Sequence, residues 1–349
     1  MIGLALLTLV PGEFGGSESA TRGLLQALAR SGTLPYRVYL PPAAPDAHEG
    51  LPYEVVSGYR RAHSQLERLV ALGLATVRPE PLRRRLRSAD VVHYPFTIRV
   101  PSVEAPTVVT LHDLQHLDLP QLFSRAERAF RSVYYHRSAR AAERVVVPSE
   151  FVRASAVDHL GLDAERIRVI PHGIDHERFT PGDTEREPFL LYPARAWPHK
   201  NHVRLFDAFA LLRRERPELR LVLTGGGHTG TAPDGVEVRG QVPLDELVSL
   251  YRRAAALVFP SRYEGFGQPV LEAMACGCPV ACSDVPALAE VAGDAARTFA
   301  HDDAKAMADA VRAVLAEPAQ YRARGLERAA AFTWERAATE YEDVYRELL

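Results

Sequence analysis

The chain has 349 residues, 47% of them hydrophobic and 25% charged, the balance of a globular protein in water and long enough, at roughly 150 residues per domain, for two domains. A net charge of −2 excludes the broad electrostatic attraction on which a nucleic-acid binder depends, and leaves a phosphate-bearing small ligand open.

The opening run Ile2–Val10 is too short to span a bilayer, lacks a basic start and runs into Pro11-Gly12-Glu13, so it reads as a buried first strand rather than a leader. With no other long apolar run, the chain is expected to be cytoplasmic. A glycine turn at Gly15 and Gly16 precedes helical spacing over Ala20–Arg30. Short β-branched runs at Arg37–Leu40, Val91–Tyr94, Thr107–Leu111, Arg144–Val147 and Arg168–Ile170 are the further strand candidates of the first half. The run Arg83, Arg84, Arg85 and Arg87 reads as a solvated face or as a contact with an anionic membrane surface.

After Pro171 the pattern breaks. A polar stretch Thr180–Pro188 reads as a linker, and a new strand begins at Phe189. The alternation restarts with a helix Asn201–Glu215, a strand Arg220–Leu223 ending in Gly225-Gly226-Gly227, a helix Asp245–Arg253 and a strand Ala256–Phe259. From Asp303 the chain is helix-forming, with Pro318 as a break and Thr333 as a cap. Strands alternating with helices predict an α/β protein with parallel sheets, in two tandem units. Cys276, Cys278 and Cys282 lie within one apolar stretch without a second pair, and read as small core residues rather than a metal or redox site.

The densest chemistry follows the strand Ala256–Phe259, in Arg262-Tyr263-Glu264-Gly265-Phe266-Gly267-Gln268-Pro269-Val270-Leu271-Glu272-Ala273. Gly265 and Gly267 allow close approach of a ligand to backbone, and Pro269 suits the first turn of a helix whose start attracts phosphate. Glu264 in the loop and Glu272 on the first turn of that helix could then hold hydroxyl-bearing parts of one ligand, as a nucleotide sugar requires. A second cluster, Tyr192-Pro193-Ala194-Arg195-Ala196-Trp197-Pro198-His199-Lys200-Asn201, puts two cations at the carboxyl end of a strand, where α/β sheets bind ligands. They could neutralise a diphosphate. In the first half, Thr107–Leu111 leads into His112, expected at the strand end. A metal site of His112, His116 and Asp118 is the weaker reading of that loop. The glycines at Gly15 and Gly16 do not have dinucleotide-binding spacing.

The paired-glutamate segment Glu264 to Ala273 resembles the signature of glycosyltransferase family 4, and the run Val108-Val109-Thr110-Leu111-His112-Asp113-Leu114 is similar to its bacterial mannosyltransferase-like branch. Gly15-Gly16, Val147-Pro148-Ser149-Glu150-Phe151, Ile170-Pro171-His172-Gly173-Ile174-Asp175 and Gly240-Gln241-Val242-Pro243 extend the resemblance over nearly the whole chain in family order. Gln268 stands where the family often has an aliphatic residue. The resemblance implies the GT-B fold, α/β with two Rossmann-like domains facing across a cleft. These would be an acceptor-side domain over 1–175, a linker over 176–187 and a donor-nucleotide domain over 188–330, with a C-terminal helix over 331–349 packing back on the first domain.

It further implies a retaining hexosyltransferase of polysaccharide biosynthesis that uses a nucleotide-diphosphate sugar, GDP-mannose before a UDP-sugar, with no cofactor and no essential metal. His112 and Glu264 would be catalytic. Gly15, Gly16, Arg195, Lys200, Val242, Gly265, Phe266, Gly267, Pro269, Val270, Leu271 and Glu272 would bind the donor. The partners implied are the nucleotide sugar, a glycan, lipid-linked or small-molecule acceptor, no nucleic acid, and a peripheral contact of the first domain with the inner membrane face. A sugar-nucleotide epimerase or hydrolase of the same fold, or a non-catalytic sugar-nucleotide binding module, would share much of this pattern.

Overall fold

The computed structural model describes residues 1–12, 15–57 and 65–349. The chain divides into two compact units, one formed by Met1–Gly173 with Trp334–Leu349 and the other by Ile174–Thr333.

The first unit holds a seven-stranded sheet in the order β3-β2-β1-β4-β5-β6-β7. Its strands are β1 (Ile2–Ala5), β2 (Tyr36–Leu40), β3 (Tyr53–Val55), β4 (Val91–Tyr94), β5 (Thr107–Thr110), β6 (Arg144–Val147) and β7 (Ile167–Val169). Every pairing is parallel; Ile2, for example, faces Tyr36 on one side and Val91 on the other. Side chains alternate between the two faces of a strand, so each strand feeds two cores. Val92, Val109, Val145 and Val147 enter one, while Val91, Val108 and Val146 enter the other. Burial on both faces is why these strands read as unbroken apolar runs.

The second core is closed by the C-terminal helix Trp334–Arg346, whose Trp334, Ala337, Ala338, Tyr341, Val344 and Tyr345 follow helical period. Its approach to the helix Gly16–Ser31 requires a glycine at Gly23, where an added Cβ would lie 2.3 Å from Trp334 Cε2. Glu342, buried in this interface, accepts hydrogen bonds from Thr33 N (2.5 Å), Thr33 Oγ1 (2.7 Å), Leu34 N (3.0 Å) and the Tyr36 hydroxyl.

The second unit has a six-stranded parallel sheet in the order β10-β9-β8-β11-β12-β13. Its strands are β8 (Glu187–Pro193), β9 (Arg220–Thr224), β10 (Val236–Gly240), β11 (Ala254–Phe259), β12 (Val280–Ser283) and β13 (Arg297–Phe299). β8 and β11 are neighbours at the centre, and the chain winds outward from them in opposite directions. This reversal is the topological switch point at which open α/β sheets leave a crevice for ligands. The three cysteines are buried in this unit's core, as their apolar setting predicts. Burial pushes their thiols up to about 12 for Cys276, 11 for Cys278 and 12 for Cys282.

Several elements differ from the sequence reading. β1 ends at Ala5 rather than Val10, because the chain turns where Leu9 N bonds to Leu6 O (2.9 Å). Leu6, Leu7, Leu9 and Val10 remain buried, so their hydrophobicity reports the core and not a strand. β3 and β10 are edge strands with exposed or half-exposed side chains and carry no apolar run. β8 begins at Glu187, inside the stretch read as linker. Pro318 opens the helix Pro318–Ala330 where proline costs no hydrogen bond, and the preceding helix Ala304–Ala316 is N-capped by Asp303. Thr333 pairs with Ile174 in an isolated bridge. Among the described residues no helix is long and apolar enough to cross a membrane.

Candidate functional site

The loops that leave β8 and β11, the two strands of the switch point, carry the two charged clusters. After β8 the chain is pinned to the neighbouring loop by Ala194 N to Thr224 O (2.9 Å) and Ala196 N to Gly226 O (3.0 Å). Gly225 sits against it at φ 107°, with an added Cβ only 2.7 Å from the Ala194 carbonyl carbon, so glycine is required there on both counts. Lys200 ends the 3₁₀ turn Pro198–Lys200, and its carbonyl accepts from the Tyr192 hydroxyl at 2.6 Å.

Asn201, in the left-handed region at φ 62°, ties the two loops together. Its amide donates to Pro260 O (3.0 Å) and His301 O (2.7 Å), and its oxygen accepts from Arg262 Nε (3.1 Å). The sequence reading gave Tyr192 and Asn201 no role; an asparagine between a cation and a helix start, able to hold a left-handed turn, was the available signal.

The result is that Lys200 Nζ lies 2.5 Å from Glu264 Oε1, with both side chains mostly withdrawn from solvent, and 5.2 Å over the Phe259 ring. Arg195 does not join this pair; its guanidinium is 5.5 Å over the exposed ring of Trp197. Gly267, at φ 119°, starts the helix Gln268–Ala275 with no side-chain cap, and a Cβ there would lie 2.4 Å from Leu288 Cδ2. Pro269 lies at that start as expected. Phe266, Val270 and Leu271 are buried in the core, so this turn can offer a ligand their backbone and not their side chains. Val242, half-buried, lies in the loop after β10.

Glu272 is the fifth residue of the helix, one turn further in than its predicted place on the first turn, because the helix begins at Gln268. Its Oε2 accepts from the Tyr251 hydroxyl at 2.9 Å. Burial raises its carboxyl to about 7 against that hydrogen bond, which lowers it.

In the first unit, His112 lies just beyond β5, with Nε2 2.7 Å from Pro95 O, itself just beyond β4. A carbonyl only accepts, so the proton sits on Nε2. Nδ1 is then a bare lone pair, buried and without a partner among the described residues. Burial lowers the pKa of His112, with opposing help from the Pro95 carbonyl and Asp113, so the ring is neutral. His116 and Asp118 turn elsewhere. His116 Nε2 is 2.9 Å from His136 Nε2, and Asp118 accepts from His159 (2.7 Å) and Ser155 (3.2 Å). Among the described residues no group of three or more His, Cys, Asp or Glu could hold a metal ion.

Gly15, at φ 54°, precedes the helix Gly16–Ser31, and an added Cβ at Gly15 or Gly16 would meet nothing within 4 Å. Backbone conformation, not crowding, therefore demands glycine at Gly15. Glu13 and Phe14 of the same turn lie outside the described residues.

Two family models match in tandem: Glycosyltransferase Family 4 over residues 14–178 and Glycosyl transferases group 1 over 174–331. The chain is 29% identical to the O-antigen chain mannosyltransferase B of Escherichia coli over 74% of both proteins. It is 30% identical to the D-inositol 3-phosphate glycosyltransferase of Geodermatophilus obscurus over 66% of this chain, and spans 59% of that relative's length. Among solved structures it is similar to sucrose-phosphate synthase from Thermosynechococcus elongatus, with a TM-score of 0.77 at 23% identity over 99% of this chain and 98% of that one. It is also similar to Anabaena HepE in complex with UDP-glucose, with a TM-score of 0.73 at 17% identity over 99% of both. Two Rossmann-like units, each with an all-parallel sheet, give the architecture of the GT-B class, and the two family models define the protein as a glycosyltransferase of that class. With both family models matching in order, the chain belongs to glycosyltransferase family 4.

Proposed function

We propose that this enzyme is a retaining hexosyltransferase that takes its sugar from a nucleotide diphosphate, GDP-mannose first and a UDP-sugar second, and gives it to a glycan, lipid-linked or small-molecule acceptor. The observation that carries the reading is the pairing of Lys200 with Glu264 beside the uncapped helix start at Gly267. A cation, a carboxylate and a helix start converge on the switch-point crevice, where a diphosphate and a sugar can be held together. The similarity to an O-antigen mannosyltransferase supports mannose as the sugar. The likeness to a structure holding UDP-glucose keeps the uridine series second.

In this mechanism the bond between the anomeric carbon and the diphosphate oxygen breaks, leaving an oxocarbenium-like sugar. The acceptor oxygen bonds to the same face, and its proton passes to the departing diphosphate. The growing negative charge is met by Lys200, Arg195 and the backbone at the start of Gln268–Ala275. No metal is required for that neutralisation, because the protein supplies the positive charge. Glu264 accepts from sugar hydroxyls, and the bare Nδ1 of His112 accepts another near the reacting carbon. Glu272 accepts from the ribose. Gly15, Gly16 and Val242 line the donor through backbone or small apolar surface.

The enzyme works in the cytoplasm and meets the inner membrane face peripherally through its first unit. Val70, Leu74 and Val77 are exposed at i, i+4 and i+7 along the helix Gln65–Val77. Arg84, Arg85 and Arg87 follow directly, each at least 59% exposed. An apolar stripe beside arginines suits an anionic lipid surface.

A thermal-shift and calorimetric screen against GDP, UDP, ADP and dTDP and their sugar conjugates, with and without magnesium, tests the donor. A ligand at 100 times its Kd adds about 2.7 kcal/mol of stability. A metal-independent shift with GDP and GDP-mannose is expected, and silence across all four series contradicts the reading.

A further inference from the structure

Glu272 is the acid on which ribose recognition is proposed to rest, and its two oxygens stand in different situations. Oε2 accepts from the Tyr251 hydroxyl at 2.9 Å; among the described residues no group bonds Oε1. Tyr251 is fully buried near the end of the helix Leu244–Arg253, edge-on to Phe179 with ring centroids 6.3 Å apart. Its ring cannot swing away, and the proton of its hydroxyl finds its acceptor in Glu272. One oxygen of the carboxylate is thereby anchored and the other left for a ligand.

We propose that Tyr251 is a positioning residue for nucleotide binding, which fixes the Glu272 carboxylate and keeps it in the ionised, hydroxyl-accepting form. This deepens the ribose role of Glu272 and rests on it. Burial pushes the Glu272 carboxyl up to about 7 even with the Tyr251 bond, which lowers it, so near neutral pH that bond weights the balance toward the ionised form, which accepts through both oxygens. The other titratable groups nearby do not compete for the proton. Cys276 and Cys278 are thiols raised to about 12 and 11, and Arg186 and Arg252 are permanent cations. Arg186 spends its guanidinium on the carbonyls of Tyr251, Ala254 and Gly277, and Arg252 spends its own on Thr180.

The test is calorimetric titration of GDP and of UDP into wild type, Tyr251→Phe and Glu272→Gln between pH 6 and pH 9, with thermal unfolding of each protein alongside. Comparison of variants cancels the titration of the nucleotide itself. Wild type is expected to bind the preferred nucleotide about tenfold more tightly than Tyr251→Phe near pH 7.5. The gap should narrow toward pH 9, where both carboxylates are ionised. Loss of packing alone would give a gap independent of pH, and that result, or no gap, overturns the positioning role while leaving Glu272 intact. If Glu272→Gln binds both nucleotides as wild type does, the ribose role falls and this inference falls with it.

Discussion

Lys200 and Glu264 leave the second sheet on different loops, 64 residues apart in sequence, yet the ammonium stands 2.5 Å from the carboxylate. Asn201 makes this possible, because its side chain bonds the Pro260 carbonyl at the root of the other loop. The pair is mostly shielded from water, where removing one partner leaves an uncompensated charge. Lys200→Ala is expected to lower kcat/KM by about 10²–10³. Glu264→Gln should cost a comparable factor, and the double variant less than the product of the two, since coupled groups are not additive. Steady-state kinetics on the three variants, with melting temperatures as a control for folding, reads the coupling.

Asn201→Ala touches no ligand in this account, yet it removes the tie between the loops. A loss in kcat/KM is expected even though both charged groups remain, with melting temperature lowered by the equivalent of roughly 1–3 kcal/mol for the buried carbonyls left unpaired. Kinetics matching wild type would show that the loops hold their places without it.

On the proposed reading, His112 serves the sugar and not the nucleotide. Its neutral ring can accept through Nδ1 because Nε2–H is committed to the Pro95 carbonyl. His112→Ala is expected to reduce turnover by a factor on the order of 10² while leaving the affinity for free GDP or UDP within twofold of wild type, read by the same calorimetry.

How much of this was legible in the sequence varies from residue to residue. The central strands were, because β5 and β6 are buried almost throughout and so spell out β-branched runs. The edges were not: β3 exposes Tyr53 and Val55, and nothing in three such residues distinguishes strand from loop. Glu264 stood out as a carboxylate beside glycine, Glu272 as its counterpart on the helix that follows, and Lys200 as a cation beyond the end of a strand. That Lys200, and not Arg195, pairs with Glu264 could not be read, since the pairing depends on strand order β8-β11 and on the left-handed turn at Asn201. Tyr251 lies on the helix Leu244–Arg253, outside every motif, and nothing in the sequence singles it out.

Glu342 anchors the C-terminal helix to the first unit. Burial alone would raise its pKa, but hydrogen bonds from Tyr36, Thr33 and Leu34 hold it at about 2 against an ordinary 4.5. A depressed folded-state pKa stabilises the fold above the unfolded value, and that stabilisation is lost as pH falls from about 4.5 toward 2. Glu342→Gln is expected to destabilise the protein at pH 7 by roughly 2–4 kcal/mol, with the difference from wild type shrinking in acid. Denaturant unfolding at pH 7, 5 and 3 measures it.

The proposed membrane face yields a separate outcome. Replacing Leu74 and Val77 together by Asp should abolish sedimentation with vesicles containing anionic lipid while leaving nucleotide affinity unchanged, because neither residue belongs to the second unit. Binding of wild type should weaken as salt is raised, through the arginine contribution.

The central claim is transfer with retention at a site built around Lys200 and Glu264. Its most direct measurement is NMR of the product formed from a sugar nucleotide labelled with carbon-13 at the anomeric carbon, incubated with the enzyme and a panel of saccharide and lipid-linked acceptors. The account predicts an acceptor-dependent glycoside whose anomeric configuration matches the donor's, and its loss in Lys200→Ala. An inverted linkage, or a donor epimerised or hydrolysed regardless of acceptor, would contradict it.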